Sequence, residues 1–188
     1  MRINAVLLAS GEGRRFGGGK LLFPVGGKPM YRHITDAVLG MDGVFRNIIV
    51  VTGCEEILRE MREFPVLCVE NRASSLGISH SIILGVMASA SAEGWLFLAS
   101  DQPRIKRETL MRFVRGFTES GKGIGCVRYN GTYGIPAVFS AAYKDELCAL
   151  SGDTGAKSVI KRHLDDVFFF EGADFEFMDL DTREDMGE

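Results

Sequence analysis

The sequence predicts a three-layer α/β/α fold, built on a mostly parallel, Rossmann-like sheet with a mixed edge. Three observations predict it. Short apolar runs without in-and-out alternation recur along the chain, as strands covered on both faces require. Segments of helical length, with apolar residues three and four apart, separate those runs. The first run breaks straight into a loop rich in glycine and basic residues, and open α/β sheets bind ligands at the carboxyl ends of their strands.

Taken in order, Ile3–Ala9 is the first strand. Pro29 opens a helix over Tyr31–Leu39, with Ile34, Ala37 and Val38 on one face. Asn47–Thr52 is a second strand, stopped by Gly53. Glu55–Glu63 is a helix, Pro65–Val69 a short strand and Ile78–Ala90 a helix. Trp95–Ala99 is the most apolar strand. Arg107–Glu119 is a helix whose Leu110, Phe113, Val114 and Phe117 fall at core spacing. The rhythm then changes. Ile124–Tyr129 and Ile135–Phe139 are strands joined across Asn130-Gly131, a turn signal. Helices follow near Tyr143–Leu150 and Ala156–Leu164, then strands at Val167–Phe170 and Glu176–Leu180. Thr182–Glu188 reads as a helix start, with acids in its first turn. One domain is expected over residues 1–188.

The bulk numbers exclude several classes. Hydrophobic residues make up 46% and charged residues 25% of the chain, with a net charge of −3, so nothing global points to nucleic acid or an anionic membrane. No apolar stretch approaches the roughly 18 residues of a membrane span. The four cysteines, Cys54, Cys68, Cys126 and Cys148, form no CxxC pair. Reduced thiols in a cytoplasmic protein are the expectation.

Against that mildly acidic background, the positive charge of Leu7–Lys20 stands out. Glycines let backbone N–H groups turn toward an anion, and Arg14, Arg15 and Lys20 add full charge. Two familiar phosphate loops fail on named residues. A P-loop requires glycine where Arg14 stands and a hydroxyl where Leu21 stands. A dinucleotide fingerprint requires glycine at Phe16. A triphosphate attacked at its α-phosphorus needs charge neutralised on the β- and γ-phosphates, a task for Arg15 and Lys20.

Asp101 leaves the fourth apolar strand in Leu98-Ala-Ser-Asp101-Gln-Pro103. A carboxylate beside a phosphate loop is a natural Mg²⁺ ligand, because Mg²⁺ takes one or two carboxylates plus phosphate oxygens. Asp179 and Asp181 alternate on the expected last strand and so share a face. One of them could reach the same metal, or Asp181 or Thr182 could cap the final helix. In Glu70–Ser81, Ser79 and Ser81 enter a helix, either to bond a ribose or base or to cap the helix.

Together the motifs resemble the molybdenum cofactor cytidylyltransferases and their guanylyltransferase relatives, within the nucleotidyltransferase superfamily. The resemblance rests on Leu8-Ala-Ser-Gly-x-Gly-x-Arg-x-Gly-x-x-Lys20, Pro24-Val-Gly-Gly-Lys28-Pro, Asn71 through Ser81, Asp101-Gln-Pro103, Gly134-Ile-Pro136, Gly152-Asp153-Thr-Gly-Ala156 and Asp179-Leu-Asp181-Thr. It implies a fold of the nucleotide-diphospho-sugar transferase type. It also implies Mg²⁺-dependent transfer of a nucleoside monophosphate from CTP or GTP to the phosphate of molybdopterin, with release of pyrophosphate. On this reading Arg15, Lys20 and Asp101 are catalytic. Leu8, Ala9, Ser10, Gly11, Gly13, Arg14, Lys20, Asn71, Ser79 and Ser81 contact the nucleotide. His80 and Asp153 face the acceptor, and Asp101 and Asp181 hold Mg²⁺. Ala9-Ser10-Gly11 is nearer the cytidylyl branch, and a Cβ at position 10 would narrow the base pocket toward a pyrimidine. Departures from the family pattern fall at His80, where serine is common, at Ile135, where histidine is common, and at Arg183, where proline is usual. The implied partners are the nucleotide, the molybdopterin acceptor and a molybdenum hydroxylase that receives the product. A sugar- or alditol-phosphate acceptor would keep the same chemistry. A non-catalytic chaperone that carries a pterin cofactor to such a hydroxylase is the alternative from another class.

Overall fold

The first strand, β1 (Ile3–Leu8), is buried along its whole length and lies between two parallel neighbours. The computed structural model describes residues 2–11, 13, 16–89 and 91–182. A small antiparallel hairpin follows, β2 (Pro24–Val25) and β3 (Lys28–Pro29), ahead of helix α1 (Met30–Leu39). Then come β4 (Ile48–Thr52), α2 (Glu55–Met61), β5 (Leu67–Glu70), α3 (Ile78–Met87), β6 (Gly94–Ala99) and α4 (Arg107–Ser120). The last third holds β7 (Ile124–Tyr129), β8 (Thr132–Ser140), α5 (Lys144–Cys148), α6 (Lys157–Arg162) and β9 (Val167–Glu171).

The seven-stranded sheet has the order β5-β4-β1-β6-β8-β7-β9. β4, β5 and β6 run parallel to β1, β8 pairs antiparallel with both β6 and β7, and β9 returns parallel to β7. A single reversed strand therefore makes the mixed edge.

Side-chain alternation along β1 sorts the core into two layers. Ile3, Ala5 and Leu7 pack with Ile34 and Val38 of α1, Ile57 of α2, and Phe113 and Phe117 of α4. Val6 and Leu8 pack on the opposite face with Ile82 and Val86 of α3, Leu147 of α5, and Val159 and Ile160 of α6. Burial on both faces explains why β1, β4 and β6 carry continuous apolar runs instead of an alternating pattern.

Several boundaries differ from expectation. The predicted helix at 143–150 divides into a 3-10 turn, Ala141–Tyr143, and α5. β8 is longer than the expected Ile135–Phe139, because the Asn130-Gly131 turn closes it tightly onto β7, with Tyr129 opposite Thr132. The expected strand at Glu176–Leu180 is absent. A 3-10 turn over Asp174–Glu176 leads into an irregular segment. Phe177 and Leu180, three residues apart, are its buried positions, and that spacing does not fit a strand face. The predicted final helix lies, beyond Thr182, outside the described residues.

With β1 flanked by β4 on one side and β6 on the other, the chain reverses its direction of travel across the sheet at β1. That is the switch point where open α/β sheets form a crevice. The loops after β1, β5 and β6 converge there.

Candidate active site

The loop after β1 is tied to the sheet before it departs. The Ala9 N–H donates to Val51 O at 2.8 Å, and the Ser10 hydroxyl donates to the same carbonyl at 3.1 Å. Thr52 Oγ1 donates back to Ala9 O at 2.7 Å. Gly13 then closes the loop: its carbonyl accepts the N–H groups of Phe16 and Gly18 at 2.9 and 3.1 Å. Gly13 has φ +59°, and a Cβ there would lie 2.7 Å from Lys20 Cβ. The two ends of the loop thus pass too close for any side chain at 13.

That closure delivers Lys20 into the site. Its side chain is 8% exposed, and Nζ donates to Asp101 Oδ2 and Asp181 Oδ1, each at 2.8 Å. Burial alone would lower the Lys20 pKa. The hydrogen bonds and negative charge of Asp101 and Asp181 outweigh it, and the pKa is raised. One ammonium group therefore gathers two carboxylates from positions far apart in the sequence, at the end of β6 and in the C-terminal segment.

The C-terminal segment is held against β6 by further bonds. The Leu180 N–H donates to Asp101 O at 3.1 Å, and Gln102 Nε2 donates to Phe177 O at 2.8 Å. Asp179 is exposed at its edge but set in protein mass. Desolvation first, then the neighbouring carboxylates of Asp101 and Asp181, push its pKa up to about 6.

The far wall comes from the loop between β5 and α3. Asn71 is buried. Its Nδ2 donates to Ser81 Oγ at 3.0 Å, and its Oδ1 accepts the Ala73 N–H at 3.0 Å. Gly77, at φ +86°, touches the loop that carries Asp153: a Cβ on Gly77 would stand 2.4 Å from Gly152 O and 2.6 Å from Asp153 Oδ1. The Ser79 N–H donates to that same Gly152 carbonyl at 3.3 Å.

These walls enclose a cavity of about 500 Å³, lined by Leu8, Ser10, Gly11, Gly13, Lys20, Ser81, Asp101, Asp153 and Asp181, all anticipated from the sequence. Phe16, Leu21, Ser74, Ser75, Gly77, Ile78 and Ala99 also line it; most of these sit in the strand-end loops that the switch-point rule singles out. Ala9, Asn71, Ser79 and His80 do not line it. Ala9 faces the other core layer, Asn71 braces the wall from behind, Ser79 is buried, and His80 sits in the first turn of α3. Arg14 and Arg15 lie outside the described residues. Gln102 was missed altogether, although it occupies the middle of the Asp101-Gln-Pro103 motif.

The donor set suits a small, hard divalent cation. Two carboxylates converge on one cationic point at the cavity wall, which leaves the remaining coordination positions for phosphate oxygens and water. Among the described residues, no group of three or more histidine, cysteine, aspartate or glutamate side chains could hold a metal by itself. Asp101 and Asp181 could hold such a cation only together with ligands from outside the chain.

Comparison with known proteins agrees with this geometry. A MobA-like NTP transferase domain matches residues 5–167. The chain is 31% identical over 162 residues to a probable molybdenum cofactor guanylyltransferase of Pyrococcus horikoshii, covering 86% of this chain and 79% of that one. Among solved structures it is similar to a nucleotidyl transferase from Methanothermobacter thermautotrophicus, with TM-score 0.81 and 24% identity over 98% of this chain and 94% of that one. It is also similar to a Mycobacterium tuberculosis H37Rv protein solved as a manganese complex, with TM-score 0.75 and 23% identity over 98% and 96% of the two chains.

Proposed function

The chain belongs to the MobA-like NTP transferase family, and from that premise we propose that it moves CMP from CTP to the phosphate of molybdopterin, releasing pyrophosphate. It is a nucleotidyltransferase. The observation that carries the reading is the Lys20 ammonium between Asp101 and Asp181 at the switch point, inside a cavity of nucleotide size.

An acceptor phosphate oxygen attacks the α-phosphorus in line. The bond from that phosphorus to the bridging oxygen of the β-phosphate breaks, and pyrophosphate leaves with the electron pair. The attacking group is already an anion, so the protein needs no general base. Its work is positioning and charge neutralisation. Lys20 offsets charge on the leaving pyrophosphate, aided by Arg15 from the same loop. The loop closed by Gly13 presents backbone N–H groups to the phosphates. Asp153, on the opposite wall with Gly77, borders the acceptor side. We assign His80, beside that wall in the first turn of α3, to the acceptor side as well. Asp101 and Asp181 would hold Mg²⁺, which when bound supplies charge neutralisation across the α- and β-phosphates.

Ser10 supports the choice of CTP. Its hydroxyl is anchored to Val51 O, so the side chain forms a fixed part of the cavity wall and narrows the space for a base. GTP is the second reading, favoured by the name of the Pyrococcus horikoshii relative. Pyrophosphate release from each of four nucleoside triphosphates, with and without molybdopterin, separates these readings. The expected result is release that requires molybdopterin, is fastest with CTP, stops on chelation of divalent ions and returns with Mg²⁺. Preference for GTP refutes the choice of base. Cofactor binding without turnover of any nucleotide refutes the reaction and favours a carrier of the cofactor.

A further inference from the structure

Residues 177–182 reach the cavity without helix or strand structure. No ladder therefore sets their position, and their backbone groups must find individual partners. Bonds from Lys20, Asp101 and Gln102 do this work, and Gln102 also hydrogen-bonds the Asp179 side chain of the segment. At the far end Lys20 takes Asp181. In the middle the Leu180 N–H donates to Asp101 O. At the near end the carbonyl of Phe177, a fully buried residue, accepts from Gln102 Nε2 at 2.8 Å.

Gln102 is 2% exposed. Its Nε2 also reaches Ile135 O of β8, at 3.5 Å. One amide thus joins three parts of the chain: the end of β6, directly beside Asp101; the start of β8; and the segment carrying Asp181. The other buried positions of the segment, Phe177 and Leu180, are apolar and fix its depth, not its register. A polar side chain is costly to bury in such a place unless its bonds matter. An apolar residue of similar length would fill the volume and make none of the bonds to Phe177, Ile135 and Asp179.

We infer that Gln102 is a positioning residue, a clip that holds Asp181 in register with Asp101 and Lys20. It contacts neither the cavity nor the reacting atoms. Its effect passes through the carboxylate it places. The inference rests on the proposed reaction only in naming what that carboxylate is for.

The test compares wild type, Gln102→Met and Gln102→Glu, with Tyr143→Phe as a control. Methionine keeps the length and loses both donors. Glutamate keeps the shape and, ionised, also has none. Tyr143 donates to Asp166 at 2.6 Å, at the opposite end of the sheet from the cavity, so its variant reports general destabilisation. Mn²⁺ binding is measured by electron paramagnetic resonance in the presence of a non-hydrolysable CTP analogue, alongside steady-state kinetics. Both Gln102 variants are expected to weaken Mn²⁺ binding about tenfold, as loss of an outer support for a metal ligand typically does. Turnover should fall about 10- to 100-fold, as expected of misplaced groups, with little change in KM for the nucleotide. Tyr143→Phe should lower the melting temperature without either effect. The inference is overturned if folded Gln102→Met or Gln102→Glu binds Mn²⁺ as wild type does and matches Tyr143→Phe in turnover. It is overturned equally if wild type binds no Mn²⁺ under these conditions. If wild type turns over no nucleotide, the proposed reaction fails, and the Mn²⁺ comparison still decides the role of Gln102.

Discussion

Replacing Lys20 by methionine removes one charge and leaves two carboxylates facing each other. Each bonded oxygen lies 2.8 Å from Nζ, so the two can stand no more than about 5.6 Å apart, and their repulsion is about 3 kcal/mol at an effective dielectric of 20 and about 0.7 kcal/mol in water. The side chains of Asp101 and Asp181 are 29% and 35% exposed, which places the value toward the lower end, about 1 kcal/mol. Loss of two partly exposed charge-assisted hydrogen bonds adds about another 1 kcal/mol. The methionine keeps the buried stem, so the packing loss is small. A total of about 2 kcal/mol corresponds to a melting temperature about 4–8 °C lower for a chain of this size. The assay is thermal unfolding at neutral pH, without and with added Mn²⁺. Mn²⁺ should stabilise Lys20→Met more than wild type, because a cation then fills the place of the ammonium. A variant that melts with wild type, and gains no more stability from Mn²⁺ than wild type does, refutes the electrostatic account of the site.

Other outcomes follow from the same geometry. Gly77→Ala should lose about 3 kcal/mol, from left-handed strain of about 1–2 kcal/mol plus collision with the Gly152 backbone. Gly121→Ala, also at positive φ but in open space, should lose only the strain; equal melting of the two variants would refute the contact between the walls. Asp166 accepts from the Tyr143 hydroxyl and then from the Gly123 N–H, and both bonds hold its pKa below the usual value. Its stabilisation is therefore complete above the unfolded carboxylate pKa near 4 and is lost as pH falls through the lower folded value. Asp166→Ala should cost about 1–2 kcal/mol at neutral pH, a deficit that shrinks on acidification. A deficit independent of pH would show that the carboxylate is not the group responsible.

Much of the fold was legible because burial on both sheet faces writes itself as uninterrupted apolar runs. β1, β4 and β6 are such runs, and each ends where glycine or a polar loop takes over. The Asn130-Gly131 turn likewise announced the reversed strand. The small hairpin at 24–29 was not legible, since two-residue strands carry no periodicity. The segment 176–180 misled for the opposite reason. The acids at alternate positions 179 and 181 imitate a strand face, while the Leu180 N–H and the Phe177 carbonyl bond Asp101 and Gln102, partners remote in sequence. The cavity residues were readable as types, because glycine, lysine and aspartate at strand ends have few other uses together. Their mutual arrangement was not. The sequence points Lys20 at phosphate alone, yet it also binds Asp101 and Asp181, and only the folded chain brings that pair together. Asn71, expected at the nucleotide, lies behind the wall and is bonded to Ser81, which lines the cavity.

The proposed role of Asp101, held by Lys20 at the end of β6, is in nucleotidyl transfer. The decisive measurement is pyrophosphate release from CTP and molybdopterin with wild type and Asp101→Ala at saturating Mg²⁺. Asp101→Ala should remain folded and lose turnover by about 10²–10³-fold, the scale of removing one preorganised electrostatic group. Turnover by Asp101→Ala at near the wild-type rate would contradict that role.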